Sequence, residues 1–164
     1  MAAEPISVKV EGERRVTEYL AKLRQVADDN SPIWREIGEI LHDGVMDRFD
    51  REQAPDGTPW QKSWRAKMQG GKTLQSTGRL RDSIQMVVQG SSVKIKTNVK
   101  YARTMQFGAT IRAKGGGYLT FKGAGSWAKV RSVTIPARPF LGMSRDDEQG
   151  IILTIEGALL DVKP

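Results

Sequence analysis

The stretch SPIWREIGEILHDGVMDRFDREQ, Ser31 to Gln53, is the longest regular element that the sequence announces. Ser31-Pro32 has the order of a helix start, a capping hydroxyl followed by a proline whose missing N–H is not needed in the first turn. Ile33, Trp34, Ile37, Leu41, Val45 and Phe49 then recur at three- and four-residue intervals, which puts them on one side of an α-helix. A helix is therefore expected over about Pro32 to Gln53. Glu39, Asp43, Asp47 and Asp50 also recur at helical spacing. They read as a solvated or partner-facing acidic stripe, because closed calcium sites are built on loops that add backbone carbonyls.

Towards the N-terminus, Val16, Tyr19, Leu20, Leu23 and Val26 mark the face of an earlier helix that Asp28-Asp29-Asn30 ends. Two helices joined this closely are expected as antiparallel neighbours. Before them, Ile6 to Val10 alternate as a short strand would. MAAEPISVKVEGERR has no apolar core of the kind a secretory signal carries, so synthesis in the cytoplasm is expected.

Towards the C-terminus, APDGTPW, Ala54 to Trp60, is turn chemistry, with Trp60 expected to cover the edge of the core. KSWRAKMQGGKT follows as a connector, about residues 61–73, expected to be flexible. LQSTGRLRDSI reads as a short helix entered through Ser76 or Thr77 with Leu80 and Ile84 inward. QMVVQ and SVKIKTN, parted by Gly90 and Ser91, form a hairpin. KYARTMQFGATI is a helical turn closed by Gly108, with Ala102, Met105 and Phe107 as packing positions. Tyr118 to Phe121 is a strand inside a Gly-rich arm, about residues 112–128, expected to order on a partner. VRSVTIP is the next strand. Ser144 caps a last helix with Asp146, Asp147 and Glu148 in its first turn and Ile151, Ile152, Ile155, Leu159 and Leu160 at helical spacing. The expected fold class is α+β within a single domain, residues 1–164: two N-terminal helices, a small antiparallel sheet with a flexible arm, and a closing helix.

The hydrophobic share of 38% and charged share of 27% belong to an ordinary globular chain, and no apolar run reaches the length of a membrane span. Without cysteine there is no disulfide, thiolate metal site or thiol nucleophile. The net charge of +7 is unevenly laid out. Between Thr58 and Val133 fifteen Lys and Arg face one acid, Asp82, leaving eleven bases and eighteen acids elsewhere. A basic block between acidic ends attracts a polyanion or matches an acidic surface on another subunit.

Enzyme chemistry finds no support. GGKT, Gly70 to Thr73, has Ala66 where a phosphate-binding loop needs its first glycine. GAGSWA, Gly123 to Ala128, is followed by a strand pattern where a dinucleotide fingerprint needs a helix, and reads as a loop. His42 is the only histidine, which leaves neither a transition-metal set nor a base assured to any serine. No cofactor and no metal are implied.

TIPARPFLGMS, Thr134 to Ser144, holds Arg138 between Pro136 and Pro139 and then offers Phe140 and Leu141. The prolines stiffen it into an extended strut. Such a strut is suited to an interface, with Arg138 reaching a neighbour's carboxylate and Phe140 as an anchor. The competing reading has Phe140 and Leu141 closing the chain's own core and Arg138 bonding a local carbonyl.

PDGTPW after a long helix, LQSTGRLRDSI, YARTMQFGA, and IPARPFLG before a capped acidic helix together resemble the Mu-type phage virion morphogenesis family, whose members are also described as tail completion proteins. The resemblance runs from Arg48 to Pro164. Met105 departs from it, standing where the family's YAxxHxFG pattern has a histidine. The resemblance implies a non-enzymatic virion protein at the neck, synthesised in the host cytoplasm, which completes the tail and joins it to the head. It implies a ring of identical subunits, commonly sixfold, meeting the tail tube or tail terminator and the head-tail connector, with no membrane partner. Interface roles are expected for Arg138, Phe140, Leu141, Trp60, Tyr101 and Phe107. Lys94, Lys96, Lys100, Arg103, Arg112 and Lys114 are expected to face channel DNA, meeting phosphates without reading sequence. The alternatives are a nucleic-acid-binding module using those same bases, a tail terminator or head completion protein, and a virion hydrolase, for which no carboxylate pair is evident.

Overall fold

The computed structural model describes residues 31–122 and 127–160. The strand expected at Ile6 to Val10 and the helix expected over Val16 to Val26 lie outside them. The fold class is α+β, as expected. Helix α1 spans Ser31–Arg51, close to its expected bounds, and buries Ile37, Val45 and Phe49. Its last turn closes through Gln53 N–H on the Arg48 carbonyl at 3.1 Å, with Glu52 left-handed at φ 56°. Glycine ordinarily takes this position. Glu52 is held there because its carboxylate accepts the Thr73 N–H at 2.5 Å and its carbonyl accepts the Trp60 N–H at 2.7 Å.

The Ala54–Trp60 turn folds as its composition requires. Ala54 N–H donates to Thr58 O at 2.9 Å and Thr58 N–H to Asp56 Oδ1 at 2.9 Å, which returns Trp60 to the core. The connector that follows contains helix α2, Trp64–Gln69, capped by Ser63 Oγ on Ala66 N–H. The Arg65 guanidinium donates to the carbonyls of Gly70 and Lys72, and Thr73 is fully buried. Helix α3 is a single turn, Arg79–Asp82, entered through Gly78 at φ 73° and not at Ser76 or Thr77; Leu80 and Ile84 point inward as expected. Strands β1, Gln85–Val88, and β2, Val93–Lys96, form an antiparallel hairpin that packs against α1.

Helix α4, Ala102–Phe107, ends at Gly108 with φ 71°. A methyl group on Gly108 would stand 2.8 Å from Ala137 N and 2.9 Å from Ile135 O, both backbone. Gly108→Ala is therefore expected to destabilise the chain by about 1–3 kcal/mol, the usual range for forcing a side chain onto a strained backbone position. Urea unfolding followed by circular dichroism reads it out; an unchanged midpoint would mean that the chain leaves α4 by another path.

Beyond Gly108 the chain makes one long ribbon. Strands β3, Ala109–Arg112, and β6, Ser132–Ile135, pair antiparallel at its base. Strands β4, Leu119–Lys122, and β5, Trp127–Val130, pair antiparallel further out. Arg131 alone links β5 to β6, and its carbonyl accepts Ala113 N–H at 2.9 Å. Residues 113–118 bulge opposite it, turning through Gly115, Gly116 and Gly117. Gly-rich composition was read as a loop at GAGSWA, but β5 begins at Trp127.

Helix α5 spans Arg145–Leu160 and packs along α1. The two helices approach through small residues, since a methyl group on Gly150 would sit 3.3 Å from Ile40 Cγ2 and one on Gly44 would collide with Asp147. Thr154 Oγ1 also donates to Glu36 at 3.2 Å. The apolar spacing of α5 therefore does not mark its buried face: Ile152, Ile155, Leu159 and Leu160 are exposed and only Ile151 is half-buried. The core lies between α1, α3, α4 and the strut, built on Val45, Phe49, Trp60, Leu80, Ile84, Val99, Ala102 and Phe140.

Candidate functional site

The strut leaves β6 at Ile135 and is tied down along its length. Arg138 N–H donates to Met105 O at 2.7 Å, and its Nε donates to Gln61 O at 2.8 Å from a buried side chain. Burial lowers the Arg138 pKa from its ordinary value, since the charged form is the one that loses solvation. Trp60 Nε1 donates to Pro139 O at 2.9 Å. The Gln106 side chain works as a fork, its Oε1 accepting from Phe140 N and Leu141 N at 3.0 Å each while Nε2 donates to Leu141 O at 2.8 Å. Phe140 is 0% exposed, with its ring centroid 5.4 Å from that of Phe49; Trp60 meets Phe49 edge-on at 5.6 Å.

These contacts correct the interface expectation for the strut. Phe140 and Trp60 are buried in the chain's own core, Leu141 packs against it, and Arg138 is bonded to a local carbonyl. The stiffness that the prolines supply is used internally, since the carbonyls of Pro139, Phe140 and Leu141 accept from Trp60, Arg48 and Gln106 of the same chain. Tyr101 and Phe107, from the same expected set, do reach the surface. Phe107 is 72% exposed and does not pack as its place on α4 led us to expect.

Behind the strut lies a buried latch. Arg48 Nη2 is paired with Asp147 Oδ2, and Arg48 Nη1 donates to Phe140 O at 3.3 Å. Ser144 and Asp147 satisfy each other as a capping box, Ser144 N–H donating to Oδ2 at 2.7 Å and Asp147 N–H to Ser144 Oγ at 3.1 Å. An open cleft of 610 Å³ lies over the latch, with Asp43, Asp47, Asp56 and Asp146 on its walls beside Arg145.

The acidic stripe of α1 divides. Asp47 pairs with Arg51 at 2.9 Å, and Asp50 receives both Lys72 and Arg81 at 3.2 Å. The Lys72 hydrogen bond is the main cause that holds the Asp50 carboxyl below its usual range. Glu39 and Asp43 are exposed. At Glu52 burial works to raise the pKa, but the bonds from Thr73 prevail and lower it from its ordinary 4.5. A lowered carboxylate pKa contributes stability above its unfolded value and loses it as pH falls through the folded one. Glu52→Gln is thus expected to flatten the acid limb of a stability-versus-pH curve between about pH 5 and about pH 3. Superimposable limbs for parent and variant would remove Glu52 from that role.

All six bases expected to face DNA are exposed, but they stand on different elements. Lys94 and Lys96 share the outer side of β2, Lys100 and Arg103 lie at the start of α4, and Arg112 and Lys114 belong to the ribbon. Sequence reasoning found β4 of the outer ribbon, as Tyr118 to Phe121 within the arm, but not its partner β5. Tyr118, Phe121 and Trp127 are exposed there, Trp127 by 69%, and Arg131 lies over the Tyr118 ring at 5.9 Å. Ala128 and Val130, apolar at a spacing of two and continued by Val133 and Ile135 beyond Arg131, were the signal that could have found β5.

A model described as the phage virion morphogenesis family matches residues 12–160 of this chain. The chain is also 27% identical over 151 residues to the Mu-like prophage FluMu G protein 2 of Haemophilus influenzae, covering 92% of this chain and 94% of that one. No solved structure matched it.

Proposed function

The chain belongs to the phage virion morphogenesis family, a structural component of phage particles, and we propose that within the particle it acts at the neck, completing the tail and joining it to the head as a ring of identical subunits. The role is structural and not catalytic. The observation that supports the ring is the division of the surface. The ribbon and its base carry exposed bases and aromatics, whereas α1 and α5 carry acids and exposed aliphatics. A closed ring needs two different, complementary faces on every protomer. The neighbours in this reading are the tail tube or tail terminator on one side and the head-tail connector on the other. Exposed Lys94, Lys96, Lys100, Arg103, Arg112 and Lys114 also suit non-specific contact with DNA in the channel.

Electron microscopy of lysates from a phage with a disrupted copy of this gene tests the reading. DNA-filled heads beside unattached or abnormal tails are expected. Normal joined particles would overturn it. The reading of a dedicated nucleic-acid-binding module would then be tested by the salt dependence of binding to a short duplex.

A further inference from the structure

We propose that the β3–β6/β4–β5 ribbon of one copy docks on the outward side of α5 in the next copy, so that each subunit gives an arm and receives one. This rests on the ring reading above and names its two faces. Residues 109–135 contain five bases and no acid. Helix α5 contains four acids against one base. The two parts are thus of opposite sign, the condition under which surfaces of one chain attract in trans.

Their apolar content matches as well. On one side of the outer ribbon Trp127 is exposed beside Lys129, Phe121 lying with Ala128 on the opposite side, and α5 exposes Ile152, Ile155 and Leu159, which share one side of that helix with Glu148 and Glu156. An aromatic beside a base therefore faces aliphatics among acids. Reach suffices too. The β5–Arg131–β6 edge is nine residues long, about 30 Å at the usual strand rise, whereas residues 148 to 159 of α5 cover about 18 Å. The contact joins unlike surfaces, so it leaves one arm and one helix free on every pair and propagates to a ring or filament.

The absence of cysteine makes the test clean. Trp127→Cys is combined in separate mixtures with Ile152→Cys, Ile155→Cys or Leu159→Cys, each on its own full-length chain, both as concentrated protein and in particles assembled from the two variants. A disulfide between unlike variants, in excess over each variant oxidised alone, is expected for at least one pair. Reversing the arm with Lys129→Glu and Arg131→Glu should lower that yield by about tenfold or more, and adding Glu148→Lys and Glu156→Lys should restore it. No excess in either setting overturns the proposal. So does a cross-link confined within single chains carrying both cysteines, which would mean that the arm lies on its own α5. Loss of binding to a short DNA duplex in the arm variant, without any mixed disulfide, overturns it in favour of an arm that meets nucleic acid. The two readings fail separately: missing cross-links with unjoined heads and tails in the gene disruption leave the neck role standing, and cross-links with normal particles do the reverse.

Discussion

Asp147→Ala is expected to destabilise the chain by about 3–5 kcal/mol, the cost of leaving a buried charge without its partner. Arg48 and Asp147 are both almost wholly buried, and removing the carboxylate leaves the Arg48 guanidinium with only the Phe140 carbonyl. The substitution also removes the acceptor for Ser144 N–H, so the start of α5 loses half of its capping box. Replacing both partners together, Arg48→Met with Asp147→Leu, is expected to recover most of the loss, because a buried pair repays little more than its own desolvation. Chemical denaturation of the parent and the two variants decides the matter. If the single and double variants were equally unstable, the pair itself would not be what the fold depends on.

Phe140→Ala is expected to cost a similar amount, about 3–5 kcal/mol, from lost burial and the cavity left beside Phe49 and Trp60. Phe107→Ala supplies the contrast. With most of its surface in water, it should leave stability within about 0.5 kcal/mol of the parent. The pair of substitutions separates two placements of the same residue type: Phe140 inside the core and Phe107 at the surface, at the root of the arm. A Phe140→Ala protein of normal stability that fails to assemble would return the strut to the interface.

Local signals were legible where one segment settles its own conformation. The face of α1, the Ala54–Trp60 turn, the β1–β2 hairpin and the Ser144 cap depend on neighbours within a few residues, and each stands where the sequence put it. What was lost depends on distant partners. Strand β3 pairs with residues twenty or more positions later, so Ala109 to Arg112 carried no local mark of being a strand. The five aliphatics of α5 were read as its buried face from spacing alone, whereas the contact with α1 is set by Gly150 and Thr154, whose value lies in how little room they take. Arg138 and Phe140 were singled out for the right reason, a rigid backbone, but rigidity does not say which side of the surface a side chain is on. The ion pair of Arg48 with Asp147 had no sequence signal at all, because nothing in a charge pattern tells a buried pair from two solvated residues.

That latch joins residues 99 positions apart, and the Trp60–Pro139 and Arg138–Gln61 bonds span 79 and 77. Contacts of such separation bear the loop-closure cost before any of them gives a return, so they form late and make folding slow. On the ribosome, Phe49 and Trp60 emerge long before Phe140 exists to cover them, and the core cannot close until Asp147 has been made. A nascent chain is therefore exposed to aggregation through most of its synthesis.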